Sequence, residues 1–132
     1  MTPVASGMAG ELREAAAAVR RQTQTLAGPV SALARRLIRQ RPRVIVTCAR
    51  GSSAHAATFA KHLFERHLGV PVAAAALNIA SVYHRPLDLR DQMLLVISQS
   101  GRSDDLIETA AMARAAGAVT VAIVNDLASP LA

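Results

Sequence analysis

The strongest constraint on this chain is a pair of apolar runs that end abruptly in glycine and small hydroxylated residues. Leu94-Leu95-Val96-Ile97 leads into Ser98-Gln99-Ser100-Gly101-Arg102-Ser103-Asp104-Asp105. Earlier, Val44-Ile45-Val46 leads into Thr47-Cys48-Ala49-Arg50-Gly51-Ser52-Ser53. Runs without period-two alternation read as strands buried on both faces, the habit of parallel sheets. A parallel pair needs a crossover of a dozen or more residues, most often a helix. Helix-like patterns follow both turns. The expected fold class is therefore α/β, a three-layer α/β/α domain on a parallel sheet, preceded by N-terminal helices.

Composition supports a core. The chain has 132 residues and 52% hydrophobic content, enough for one domain of ordinary size. Phe59, Phe64 and Tyr83 are the whole aromatic complement, so the core must be built from Ala, Val, Leu and Ile. A single cysteine, Cys48, excludes an intrachain disulfide and any multi-cysteine metal site. No metal or other cofactor is expected. No apolar run approaches the roughly 20 residues of a membrane span, and Met1 to Gly10 lacks the pattern of a signal peptide. The expectation is a soluble cytoplasmic protein with no membrane partner.

Net charge is +6, and eight arginines precede residue 44. They are not interleaved with stacking aromatics, which argues against a single-stranded nucleic-acid platform. No helix-turn-helix is recognisable there either. The arginines read as solvated helix faces.

From Glu11 to Ala27, Leu12, Ala16, Val19 and Leu26 recur at helical spacing. Gly28-Pro29 interrupts the pattern, and Val30, Leu33, Leu37 and Ile38 continue it until Pro42 stops it. This predicts two helices, or one kinked helix, packed on a sheet or a second subunit. A strand over Val44–Val46 precedes a helix over Ala54–His67, with Ala57, Phe59/Ala60, Leu63 and Phe64 inward and Gly69 as C-cap. A weaker strand over Val70–Ala74 and a helical turn over Asn78–Tyr83 come next. Met93–Ile97 is the strongest strand, followed by a helix over Asp104–Ala116 closed by Gly117 and a strand over Val119–Val124. The segments divide as a helical part, 1–42, and a domain, 43–132.

Both hydroxyl-rich turns fall at the carboxyl ends of strands, where ligands of open parallel sheets bind. Helix N-termini offer N–H groups and a positive dipole end, and short hydroxyls add donors, which suits a phosphate. In the second turn Ser98, Ser100 and Ser103 supply hydroxyls, Gln99 an amide, and Gly101 conformational freedom; in the first, Gly51, Ser52 and Ser53 play matching parts. The competing reading is that these serines only cap helices. Neither turn is a Walker P-loop or a Gly-x-Gly-x-x-Gly fingerprint. Asp104 and Asp105 are expected to point away, offset by Arg102. Cys48 reads as a packed thiol, and His55 and His84 are the histidines nearest the same edge. No carboxylate pair stands ready for acid–base chemistry, so no catalytic residue is assigned.

With Gly51-Ser52-Ser53, Asn78-Ile79-Ala80-Ser81 and Ser98-Gln99-Ser100-Gly101-Arg102-Ser103, the chain from about Thr47 onward resembles the sugar isomerase (SIS) domain family. Within it the likeness is to the first SIS domain of the isomerase half of glucosamine-6-phosphate synthase and to SIS-type deaminases and ketose/aldose isomerases. Met8 to Gln22 is similar to the helix that precedes that domain. The resemblance implies a flavodoxin-like, five-stranded fold that binds a hexose- or hexosamine-6-phosphate, often in tandem copies and as a homodimer. It implies that Ser53, Ser98, Gln99, Ser100 and Ser103 hold the phosphate, supported by Gly51, Ser52, Gly101, Arg50 and Arg102. Arg102 stands where the family has Glu, and Arg50-Gly51-Ser52-Ser53 replaces Cys-Gly-Thr-Ser. It also implies that the ring-opening and proton-moving groups belong to a second SIS domain and a C-terminal tail, so 43–132 is expected to be an incomplete first domain lacking them. Two alternatives stand beside this: a regulatory domain sensing a sugar phosphate, and a single-domain isomerase completed across a dimer.

Overall fold

A computed structural model describes residues 7–132. They form α1 (Gly7–Arg39), β1 (Ile45–Ala49), α2 (Ser53–Leu68), β2 (Val72–Ala74), α3 (Leu77–Ser81), β3 (Met93–Ser98), α4 (Asp104–Ala115) and β4 (Val119–Val124). Helix α1 is one compact unit and residues 40–132 are another. α1 runs unbroken past Gly28 and Pro29. Of the two expected arrangements, two helices or one, the structure has the single helix, since one proline removes a single N–H bond, which a long helix survives.

All strands of the second unit are parallel, in the order β2-β1-β3-β4. Strand succession therefore moves outward one way from β1 and the other way from β3. With right-handed crossovers this puts α2 on one face and α4 on the other. α3, which packs on α4, lies with it. The expected three-layer arrangement is present.

Period-two alternation divides the core between the two faces. Val46, Cys48, Leu94 and Val96 cluster with Leu106, Ala110 and Ala113 of α4 and with Leu89 and Ala118. Ile45, Thr47, Met93 and Leu95 turn to the opposite face, and all are buried. The runs show no hydrophobic alternation because both faces are covered.

Helix α2 departs from the sequence expectation. Ala57 is buried and Ala60 and Phe64 are half-buried, whereas Phe59 is 65% exposed and Leu63 also faces outward. Residues 57, 60 and 64 share a stripe at i, i+3 and i+7; Phe59 falls about 200° from Ala57 and cannot join it. Gly69 ends the helix as predicted, left-handed at φ 61°, donating its N–H to the Glu65 carbonyl at 3.1 Å. The first strand begins one residue later and ends three residues later than the apolar run indicates, because Thr47, Cys48 and Ala49 stay paired with β3.

Candidate functional site

Strand order reverses between β1 and β3, which are hydrogen-bonded neighbours with Ala49 opposite Ile97. The turns that leave these strands, 50–53 and 98–103, therefore emerge side by side. This is the switch point at which open α/β sheets take their ligands. The two turns chosen from sequence are brought together by the register alone.

The 98–103 turn is shaped from within. Ser98 is buried, and its Oγ accepts the Gly101 N–H at 3.0 Å. Ser100 Oγ accepts the Arg102 N–H at 3.3 Å. Gly101 adopts φ 63°, in the left-handed region that glycine enters without penalty. Ser129 backs it so closely that a Cβ on residue 101 would lie 2.6 Å from Ser129 Cβ. Asn125 N–H donates to the Gln99 carbonyl and Leu131 N–H to the Gly101 carbonyl, each at 3.3 Å. Residues 125–131 thus brace the turn from beneath. No pattern in the sequence signals this, since the braced residues lie more than twenty positions apart.

The capping reading fails on geometry. Ser52 and Ser103 occupy the N-cap positions of α2 and α4, and neither side chain makes a cap hydrogen bond. Gln99, Ser100 and Ser52 are exposed, and Ser53 and Ser103 are half-buried. These polar groups are available to a ligand. A small apolar cavity between α3 and α4, lined by Ile79, Leu87, Leu89 and Met112 among others, touches neither turn.

The charges differ from expectation in one respect. Asp105 is met by Arg50, at 3.2 Å, rather than by Arg102. That ion pair links the first turn to the head of α4. Arg102 instead pairs with Asp126 at 2.8 Å. The Ala128 N–H and the Arg102 guanidinium hold the Asp126 carboxyl below the ordinary carboxylate range. His84 Nδ1 lies 3.2 Å from Glu108 Oε1 on α4, whereas no side-chain bond is formed by His55. Among the described residues no cluster of histidine, cysteine, aspartate or glutamate is placed to hold a metal ion, and no helix is long and apolar enough to cross a membrane.

Cys48 is fully buried beneath these turns. Burial pushes its thiol up to about 12, with the Thr109 hydroxyl opposing and the Asp105 carboxylate adding to the rise. A neutral, enclosed thiol is no nucleophile. Because the folded pKa lies above the unfolded value of 9.0, the folded chain binds more protons between the two. The stability this contributes is complete below about pH 9 and is lost as pH rises toward 12, at up to about 1.4 kcal/mol per pH unit. Urea unfolding from pH 8 to 11 should show the advantage of the native chain over Cys48→Ala shrinking steadily. A pH-independent difference would contradict the assignment.

Comparison with known proteins agrees with this geometry. The SIS domain profile matches residues 37–132. The glutamine–fructose-6-phosphate aminotransferase (isomerizing) of Campylobacter jejuni is 40% identical over 83 residues, covering 61% of this chain and 13% of that protein. The enzyme of the same name from Pyrococcus horikoshii is 35% identical over 94 residues, covering 70% and 15%. The chain thus spans a small part of the length of these relatives. Among solved structures, a candidate phosphosugar isomerase from Silicibacter pomeroyi superposes with a TM-score of 0.86 at 40% identity, over 89% of this chain and 36% of that one. A matched profile, parallel strands in this order and two hydroxyl-rich turns at the switch point lead to one conclusion: the chain belongs to the SIS domain family.

Proposed function

We propose that residues 43–132 form the first SIS domain of a longer enzyme and bind the phosphoryl group of a hexose- or hexosamine-6-phosphate between the turns 50–53 and 98–103. The observation that carries this reading is the pair of adjacent turns whose N-cap serines make no cap bond. Ser53, Gln99, Ser100 and Ser103 would donate to phosphate oxygens. Ser98 would act mainly by holding the turn through Gly101. The head of α4 adds its dipole, and acceptor-rich dianions suit such a cluster of donors. Gly51, Ser52 and Gly101 allow close approach of backbone. Arg50 and Arg102 support the site while balanced by Asp105 and Asp126.

The names of the relatives, an isomerizing aminotransferase and a candidate phosphosugar isomerase, support membership of an aldose–ketose isomerase or aminotransferase. Binding is the activity proposed for this segment. A cytoplasmic homodimer that binds no nucleic acid completes the reading.

Calorimetric titration with fructose-, glucose- and glucosamine-6-phosphate tests it directly. Saturable binding is expected, weakened about tenfold by Ser100→Ala and again by Ser103→Ala, each the loss of one hydrogen bond to a charged group. No heat and no thermal shift with any of these sugars or with inorganic phosphate would end the proposal.

A further inference from the structure

Helix α1 carries a pattern that the site does not use. Leu12, Ala16, Val19, Thr23, Leu26, Val30, Leu33 and Leu37 are spaced by alternating steps of four and three. Such steps are the heptad spacing of a coiled-coil seam. Leu12, Val19, Leu26 and Val30 are all exposed, Leu12 by 72%; Leu33 and Leu37 are half-buried. Thr23, the single polar member, already donates its hydroxyl to the Val19 carbonyl at 3.0 Å, so covering it would orphan no donor. Gly28 and Pro29, the weak points of the helix, fall off the seam.

From this we infer that α1 pairs antiparallel with α1 of a second copy of the chain. The occupant follows from the seam's own symmetry. Reversed about its midpoint, between residues 24 and 25, it maps onto itself. Leu12 then meets Leu37 of the other copy, Ala16 meets Leu33, Val19 meets Val30 and Thr23 meets Leu26. Each small residue faces a large one, and the layers fill evenly. A parallel pair would instead set Ala16 on Ala16 and Thr23 on Thr23 between the larger Leu12, Val19 and Leu26 layers, leaving gaps. Charge agrees with the antiparallel choice. Beside the seam, Arg13 faces Ala34, Arg20 faces Ala27 and Arg36 faces Ala15, so no flanking arginine opposes another, and the arginine stems extend apolar cover. The pairing supplies a surface for the proposed homodimer and is independent of the sugar-phosphate site.

The full chain in a Cys48→Ala background tests this by sedimentation and by oxidative cross-linking. A dimer is expected, with Leu26→Glu/Val30→Glu raising its dissociation constant at least about a hundredfold and leaving sugar-phosphate binding unchanged. The double variant Val19→Cys/Val30→Cys should form a covalent dimer on oxidation, whereas Val19→Cys alone should not. In the antiparallel register the two copies of residue 19 are about 16 Å apart, well beyond disulfide reach. A monomer at every concentration, or cross-linking by Val19→Cys alone, would overturn the proposal. So would a chain that coats anionic vesicles through α1 without dimerising in solution.

Discussion

Gly101→Ala is expected to destabilise residues 40–132 by about 2–5 kcal/mol and to eliminate sugar-phosphate binding in what still folds. Two costs combine. A side chain held at φ 63° costs about 1–2 kcal/mol. The new methyl must also displace the buried Ser129, whose Cβ would lie 2.6 Å away. The partition between these costs is measurable. Adding Ser129→Gly to Gly101→Ala removes the obstruction and should recover about 1–3 kcal/mol, leaving the backbone cost. Urea unfolding of both variants decides it. A Gly101→Ala protein as stable as the native chain would mean that the turn does not hold this conformation.

Leu106→Ala should cost about 2–5 kcal/mol, the range for truncating a buried leucine whose surroundings collapse only in part. Leu106 is 1% exposed and packs against the β1 and β3 residues Val46, Cys48, Leu94 and Val96. It sits in the first turn of α4, so it also fixes where the head of that helix points. Its loss should weaken phosphate binding severalfold beyond what unfolding explains, measured at a temperature where the variant is fully folded. Ala111→Gly, at an exposed position of the same helix, is the control: about 1 kcal/mol of stability lost and affinity unchanged. Equal affinity in Leu106→Ala would separate the helix head from the site.

Much of this was legible before any coordinates. Non-alternating apolar runs announced a sheet covered on both faces, and the glycine–serine turns marked the carboxyl ends of its strands. Gly69 and Gly117, both at positive φ, were readable as helix stops because few other residues tolerate that geometry. The rest depended on contacts that one-dimensional patterns do not carry. Phe59 and Leu63 read as core by hydrophobicity, yet the stripe that meets the sheet is set by Ala57 and excludes them. Arg50 finds Asp105 across 55 positions, and Arg102 finds Asp126 across 24. Pairings of exposed, flexible side chains leave no periodic trace. Ser129, the backstop of Gly101, sits in a polar turn that resembles any other.

The β1–β3 ladder has a kinetic consequence. Every pair in it joins residues 48 positions apart, from Ile45 with Met93 to Ala49 with Ile97. Closing so long a loop costs entropy before any contact repays it, and chains dominated by such pairings fold slowly for their size. Since that ladder alone sets the two turns side by side, no early folding intermediate that lacks it can recognise a phosphate. A ligand of the proposed site would therefore bind only once that ladder has formed. It would stabilise the finished domain by mass action and slow unfolding, without speeding the search that brings the strands together.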